Sequence, residues 1–186
     1  MDSKTTEAIE DGMVELDLHN EHNYGYMGTV YMGSDLQPIR AIFDTGSANS
    51  WILSKKAVED SRHKDDFQPF DESTSETFRE MKPHKSAHIT FGSGDLEGYF
   101  AYDQVTLGHK NALGLGKTLT IDDYNFGLVE EQHVFSGTFD AIIGLAYPKM
   151  AERGTTPFFE GLINSGLLHD EQGNPNNVFS FYMSTN

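Results

Sequence analysis

The sequence has no cysteine, few basic residues and no long apolar run, and each absence excludes a class of protein. Without cysteine there is no thiol nucleophile, no thiolate metal site and no disulfide to indicate a redox compartment. The 13 basic residues against 29 acidic ones give a formal net charge of −16, which repels phosphate and argues against a nucleic-acid partner. The longest apolar runs have the length of a strand, so the sequence predicts no membrane span.

The N-terminal stretch is polar and acidic, which predicts a disordered leader over residues 1–12. It has no apolar segment of the kind that signal peptides carry. The remaining residues, 13–186, are of a length that suits one domain with a sizeable core.

Short segments of β-forming residues dominate the chain after the leader, and clusters of Gly, Asn, Asp and Ser separate them. This spacing is typical of sandwiches and barrels, so the sequence predicts a mainly β lobe with minor helix. The predicted strands are Met13–Leu18, Tyr26–Met32, Ile39–Phe43, Ser50–Leu53, Ala87–Phe91, Gly98–Leu107, Thr118–Ile121, Asn125–Val129, Ala141–Leu145 and Val178–Met183.

Two segments interrupt the β pattern with helical features. In Thr156–Ser165 a threonine stands at the N-cap position, Pro157 at the first helical position and Gly166 after the end. Ser73–Arg79 is predicted to form a helical turn. The charged segment Lys55–Asp71 is predicted to be an exposed loop.

The feature that carries chemistry is an Asp-Thr-Gly triplet at the end of an apolar strand. Ala41–Phe43 runs into Asp44, Thr45, Gly46 and Ser47. Gly46 allows the backbone to approach closely, so that amides and neighbouring hydroxyl groups can hydrogen-bond the carboxylate. The triplet alone is a weak signal, because Asp-x-Gly also occurs in ordinary turns.

Four segments of the sequence support a catalytic interpretation of the triplet. Phe43–Trp51, with the sequence FDTGSANSW, resembles the active-site signature of pepsin-like aspartic proteases, and Phe139–Pro148 resembles the family's apolar-apolar-Gly segment. Between them, Ile89–Gly94 resembles the family's flap hairpin. Phe179–Asn186 is similar to the strand that ends the first of the family's two lobes. The resemblance implies a pepsin-like N-terminal lobe with a ψ-loop and a flap, and makes residues 1–12 a candidate prosegment remnant.

The resemblance also implies roles for individual residues. In the family, two aspartates from two lobes share a proton and activate a water. Two carboxylates that lie so close to each other cannot both ionise. Asp44 matches the first aspartate. Thr45 matches the threonine that ties the two catalytic loops together, and Ser47 the hydroxyl that supports the carboxylate. Trp51 matches the indole beneath the flap.

The flap and the first-lobe side of an apolar subsite are also implied by the resemblance. Two departures stand out: Phe91 occupies a position where the family usually has tyrosine, which removes a partner of the Trp51 indole N–H, and Ala141 replaces a glycine. The expected flap and substrate-binding residues are Ile42, Phe91, Gly92, Ser93, Phe135, Phe139 and Ile142.

No second Asp-Thr-Gly or Asp-Ser-Gly occurs in the sequence. Asp140 lies in the apolar-apolar-Gly segment, where a structural role is expected, and Asp35, Asp95 and Asp103 are predicted to lie in turns or at strand ends. A single aspartate cannot form the dyad. The chain is therefore expected to be inactive as an isolated monomer.

Three hypotheses remain open. In the first, the chain is the N-terminal lobe of an endopeptidase and a C-terminal lobe supplies the second aspartate. In the second, two copies of the chain pair their Asp44 side chains, as in retroviral proteases. In the third, the half-cleft is a non-catalytic module that binds peptides.

The expected partners are a peptide or protein substrate and either a second lobe or a second copy. The histidines and the acidic pairs lack the spacing of a metal site, so no metal and no cofactor is expected. The resemblance places the parent enzyme in the secretory pathway, in an acidic vacuole or lysosome, or outside the cell.

Overall fold

A computed structural model describes residues 14–21, 25–59, 61–62, 64–91, 94–108, 117–133, 138–170 and 172–183. In this part of the chain nine strands belong to one sheet. The strands are β1 (His19–Glu21), β2 (Gly25–Met32), β3 (Gln37–Asp44), β4 (Trp51–Leu53), β5 (Arg79–Glu80), β6 (Ser86–Phe91), β7 (Gly94–Leu107), β8 (Leu119–Gln132) and β9 (Ala141–Gly144). The helices are α1 (Lys55–Val58), α2 (Phe158–Asn164) and three 3-10 helices, Lys64–Asp66, Glu72–Thr74 and Pro148–Met150.

The sheet closes on itself. The strand order is β1-β2-β3-β9-β4-β8-β7-β5, and a further antiparallel pairing of β2 with β7 joins its two sides. Strands β2, β3, β9, β4, β8 and β7 therefore form a ring, and β6 extends from β7 as a hairpin. This closed mainly β lobe confirms the predicted fold class.

The interior of the ring is filled by side chains that alternate along the strands, since successive residues of a strand point to opposite faces. In β2, for example, Val30 and Met32 are buried while Thr29 and Tyr31 are partly exposed. The larger core cluster consists of Val30, Met32, Ile39, Ala41, Ile52, Phe70, Ala101, Val105, Ile121, Tyr124, Phe126, Leu128, Ala141, Ile143, Phe158 and Leu162.

Most predicted strands are present, with two merged and two wrong. Thr118–Ile121 and Asn125–Val129 form the single strand β8, which continues past a register shift opposite Asp103. Residues 14–18 and 178–183 form no strand, because no neighbouring strand among the described residues satisfies their backbone groups.

The helical predictions were displaced. The helix predicted in Thr156–Ser165 starts one residue later than expected, with Pro157 at the N-cap and Phe158 as its first residue, while the Thr156 amide donates to Asn125 Oδ1 at 3.0 Å. The helical turn predicted at Ser73–Arg79 is the 3-10 helix Glu72–Thr74. Among the described residues no helix is long and apolar enough to cross a membrane.

The segment predicted as the exposed loop Lys55–Asp71 is instead anchored to the barrel. It contains α1 and a 3-10 helix, and Val58, Phe67 and Phe70 are buried. The three apolar side chains remove their own surface from water, which holds this charged segment against the core.

A partly buried ion pair between β3 and the residue before β9 also holds this segment. Arg40 Nε donates to Asp140 Oδ2 at 2.6 Å and its Nη2 to Asp140 Oδ1 at 2.9 Å. Asp140 is fully buried, and its Oδ1 also accepts from the Gln68 amide at 2.8 Å. The Arg40 guanidinium donates in addition to the Asp66 carbonyl at 2.7 Å. Asp140 is thus the structural carboxylate that its motif predicted.

A second carboxylate, Asp71, holds the opposite end of that segment. Its Oδ1 accepts from the Ser73 hydroxyl at 2.6 Å and caps the 3-10 helix, and its Oδ2 is paired with Lys55 Nζ. The Lys55 ammonium, and after it the Ser73 hydroxyl, hold the pKa of Asp71 below its usual range.

Replacing Asp140 by alanine is expected to leave Arg40 without its partner and the Gln68 amide without an acceptor. Loss of one member of a fully buried pair costs about 3–5 kcal/mol. Because Arg40 is 30% exposed and keeps the Asp66 carbonyl as an acceptor, urea unfolding should show a loss below that range but well above that of an exposed pair. Asp123→Ala is the matched control, because Asp123 pairs with Arg79 at the surface and exposed pairs contribute about 0–1 kcal/mol. Equal effects of the two substitutions would contradict a structural role for Asp140.

Replacing Asp71 by asparagine is expected to destabilise the protein by about 1–2 kcal/mol near neutral pH, where charged hydrogen bonds are lost. Because the folded-state pKa is lowered, this contribution is complete above the unfolded value of about 3.9 and disappears as pH falls through the folded value. Urea unfolding of both proteins at pH 6 and at about pH 2.5 measures it. A difference between the two proteins that is the same at both pH values would show that ionisation of Asp71 is irrelevant.

Candidate active site

Asp44 is the last residue of β3, and the chain turns away from the sheet immediately after it. The Gly46 amide donates to Asp44 Oδ1 at 2.8 Å across this turn. The carboxylate is partly exposed, and Thr45 and Gly46 are exposed beside it. The turn therefore presents a carboxylate at the surface while a backbone donor fixes its orientation.

Strand β9 lies between β3 and β4, the two strands that the Asp44 loop (residues 44–50) connects. It runs parallel to β3, with Asp44 opposite Gly144. Two backbone hydrogen bonds hold the loop on the residues that directly follow β9: the Leu145 amide donates to the Asp44 carbonyl at 2.8 Å, and the Ala146 amide to the Ser47 carbonyl at 2.9 Å. This is the ψ arrangement that the resemblance implied.

Gly144 makes this crossing possible. A Cβ atom there would lie 2.5 Å from the Ala48 carbonyl carbon and 2.6 Å from the Asn49 oxygen. Such contacts are shorter than real Cβ atoms make, so the Asp44 loop can cross β9 only where the side chain is a hydrogen atom.

A second apolar cluster lies on the flap side of the loop, and is called the Trp51 cluster. It consists of Trp51, Leu53, Val58, Phe67, Met81, Ala87, Leu96, Phe100, Val129 and Ile142, with Ala57, Ile89, Tyr102 and Phe139 packed against it. Trp51 and Phe100 have ring centroids 5.7 Å apart. The cluster brings together three predicted site residues, Trp51, Phe139 and Ile142.

Ile42 is joined to this group through the sheet. Its Cα is paired with that of Ile142 in the parallel ladder, and Ile142 is paired with Trp51 on its other side. Three predicted site residues therefore lie at one level of three adjacent strands.

Two buried polar atoms near Asp44 have no hydrogen-bond partner among the described residues, Trp51 Nε1 and Ser47 Oγ. The indole is 2% exposed, so its N–H is desolvated. A buried donor without a partner costs about 1–3 kcal/mol, which makes this site unusual. The sequence expectation that Trp51 lacks its partner agrees with the first observation. The support expected from the Ser47 hydroxyl is not formed within the described residues.

The predicted flap is an antiparallel hairpin in which β6 pairs with the first part of β7, from Ser86 opposite Tyr99 to Phe91 opposite Gly94. Ile89 faces the Trp51 cluster from this hairpin. The predictions on Gly92, Ser93 and Phe135, and on the side chain of Phe91, lie outside the described residues. The leader, residues 1–12, lies outside them as well.

Asp103 is a buried carboxylate that lies within a strand and is not among the residues of the candidate site. Asp103 was expected in a turn or at a strand end, but it lies inside β7 and is 1% exposed. Hydroxyl donors from Thr77 at 2.5 Å and Ser75 at 3.1 Å allow its burial. Among the described residues no group of three or more His, Asp or Glu side chains could hold a metal ion.

Sequence reasoning missed three residues that shape the site. Gly127 is opposite Trp51, and a Cβ there would lie 2.4 Å from two indole carbons. A glycine inside a strand pattern could have indicated this close approach. Ser50 and Tyr124 meet through their hydroxyl groups, 2.5 Å apart and buried, and no local pattern indicates a contact across 74 residues.

Comparison with known proteins agrees with this geometry. The family model of eukaryotic aspartyl proteases matches residues 25–186. The chain is 32% identical to aspartic protease 3 of Toxoplasma gondii over 97% of its own length and 28% of that protein. It is 34% identical to pepsin A of Bos taurus, over 92% of the chain and 42% of the pepsin. With pepsin A of Sus scrofa the identity is 35%, over 91% of the chain and 40% of that pepsin.

The chain spans less than half the length of each of these three relatives. The match nevertheless includes the strand-end Asp-Thr-Gly and the strand inserted between β3 and β4, on which the local geometry depends. The chain belongs to the pepsin-like family of eukaryotic aspartyl proteases.

Proposed function

We propose that the chain is the N-terminal lobe of an aspartic endopeptidase and that Asp44 is one of its two catalytic carboxylates. The observation that carries the proposal is the placement of Asp44: a partly exposed carboxylate at a strand end, on a loop clamped to β9 by backbone hydrogen bonds. A catalytic group must be held in one geometry while remaining accessible to substrate, and this loop meets both requirements.

The chemistry follows from two carboxylates that share one proton. The ionised carboxylate takes a proton from a water, whose oxygen attacks the carbonyl carbon of the scissile peptide bond. The protonated carboxyl group donates its proton to the carbonyl oxygen. Breakage of the C–N bond then requires a proton on the nitrogen, which one of the two carboxyl groups supplies. The Gly46 amide keeps Asp44 Oδ1 oriented throughout these transfers.

The second aspartate comes from a C-terminal lobe of the same protein. The length of the relatives supports this assignment over a second copy of the chain, and an exposed apolar surface agrees with a covering partner of either kind. The relatives are more than twice as long as the matched region. The last described residues are also exposed and apolar, with Tyr182 at 90%, Val178 at 72% and Met183 at 55% exposure. Such a concentration of exposed apolar side chains is typical of a surface that another part of a protein covers.

The substrate is a peptide with apolar side chains at the scissile bond. Trp51, Phe139 and Ile142 form an apolar cluster with Ile89 of the flap hairpin. An extended peptide passing between Asp44 and this hairpin would place alternate side chains against the cluster. Ile89 and Phe139, which are only partly buried, are the members of this group that support the substrate class.

Replacing Asp44 by alanine is expected to abolish peptide hydrolysis by the full-length protein. Without this carboxylate the water loses its base, or the carbonyl its acid, so kcat should fall by a factor of about 10³ or more. Hydrolysis of a peptide with an apolar centre at acid pH measures the effect. The unfolding midpoint should stay close to that of the unmodified protein, because the carboxylate is not in the core.

The matched control is Asp123→Ala, which removes an exposed carboxylate on β8 and should retain full activity. Residual hydrolysis above a few per cent with Asp44→Ala would mean that another group is the catalytic acid or base.

Replacing Phe91 by tyrosine is expected to leave kcat/KM unchanged or to raise it. The new hydroxyl would give the buried Trp51 N–H an acceptor and would order the flap hairpin over substrate. Steady-state kinetics of four proteins tests this: the unmodified enzyme, Phe91→Tyr, Trp51→Phe and the double variant. Any gain should vanish in the Trp51→Phe background, which has no indole N–H. A loss of kcat/KM with Phe91→Tyr would show that the flap closes in another way.

A further inference from the structure

Ser50 is the residue at which the Asp44 loop rejoins the sheet, and it contacts two other strands. Its carbonyl accepts from the Gly127 amide of β8 at 2.9 Å. Its hydroxyl oxygen accepts from the Gly144 amide of β9 at 3.2 Å. The residue is 1% exposed, so both contacts are shielded from water. Ser50 therefore links the end of the loop to the strand that crosses beneath it.

The Ser50 hydroxyl is in turn held by a second buried hydroxyl. Tyr124 of β8 places its phenol oxygen 2.5 Å from Ser50 Oγ. Burial holds the pKa of Tyr124 far above its usual range, so the phenol is neutral at every pH at which a carboxylate dyad could work. The ring is itself fixed by a T-shaped contact with Phe158, with centroids 5.3 Å apart. The Ser50 and Tyr124 side chains are thus both held in place by buried contacts.

Outside the strand ladder, three hydrogen bonds between described residues join the Asp44 loop to the end of β9 and the two residues after it, and one of the three involves a side chain. The Leu145 and Ala146 amides donate to the carbonyls of Asp44 and Ser47. Their strength depends on the backbone alone. The third, from the Gly144 amide to Ser50 Oγ, exists only because of the Ser50 side chain. Gly144 is also the residue paired with Asp44 in the parallel ladder.

We propose that Tyr124 and Ser50 form a positioning unit. It holds Gly144 in place relative to the Asp44 loop and thereby sets the position of the Asp44 carboxylate. The inference rests on the proposed function of Asp44. Tyr124 touches no reacting atom and acts through Ser50. Its hydroxyl should therefore matter for the rate of the chemical step and not for the apolar contacts that bind the substrate.

The test compares Tyr124→Phe, Ser50→Ala and the double variant in the full-length protein. Each single change should lower kcat by roughly tenfold with KM within about twofold, as a small misplacement of a catalytic group does. Because the two hydroxyls act as a unit, the double variant should be no slower than Ser50→Ala alone.

The matched control is Thr106→Val, which removes one hydroxyl of another hydroxyl pair that has one member on β8. Thr106 Oγ1 lies 2.9 Å from Thr120 Oγ1, and Thr106 is 5% exposed. This variant should lose stability without a change in kcat. A merely structural hydroxyl pair at Tyr124 and Ser50 would behave in the same way.

A second measurement does not depend on activity. Amide hydrogen exchange at Gly144 should become faster in Tyr124→Phe and in Ser50→Ala, and stay unchanged in Thr106→Val. If the unmodified protein has no Asp44-dependent hydrolysis, the proposed function fails, while exchange still tests whether the unit holds Gly144. Unchanged kcat in both single variants, or unchanged exchange at Gly144, would overturn the inference.

Discussion

The parallel pairing of β3 with β9 is the contact on which the rest of the site depends. It inserts β9 between two strands that are consecutive in sequence, so the loop joining them has to cross over β9. Gly144 makes the crossing sterically possible, and the amides that follow it satisfy loop carbonyls that would otherwise be buried without partners. The position of Asp44 is therefore a consequence of the strand order, in which β9 lies between β3 and β4.

The same crossing explains how a polar loop is tolerated so close to two apolar clusters. On one side, Arg40 and Gln68 satisfy the buried carboxylate of Asp140 at the entrance to β9. On the other, the hydroxyls of Ser50 and Tyr124 satisfy each other inside the core. Three atoms are exceptions, Trp51 Nε1, Ser47 Oγ and Asp103 Oδ2, which are buried and lack a partner among the described residues. Two of these three atoms, those of Ser47 and Trp51, belong to the Asp44 loop or to the residue that follows it, which agrees with a site that is completed by further groups.

Sequence reasoning succeeded where the information is local. Runs of β-forming residues predicted β2 within one residue and β3 within two residues of its bounds, and Asp44 was expected and observed at a strand end. It failed for residues 14–18 and 178–183, which have β-forming side chains but no neighbouring strand in the described part of the chain. It also misplaced Asp103, because the hydroxyl donors that allow this carboxylate to be buried come from residues 26 and 28 positions away.

By itself, the sequence determined the family and singled out Asp44 as the candidate catalytic carboxylate, since Asp-Thr-Gly after an apolar strand is a short-range pattern. Only the tertiary structure decided what holds that carboxylate in place. The Tyr124–Ser50 pair spans 74 residues, and the Arg40–Asp140 pair spans 100. Such contacts leave no trace in local periodicity, because they arise when the barrel closes and brings distant strands to hydrogen-bonding distance.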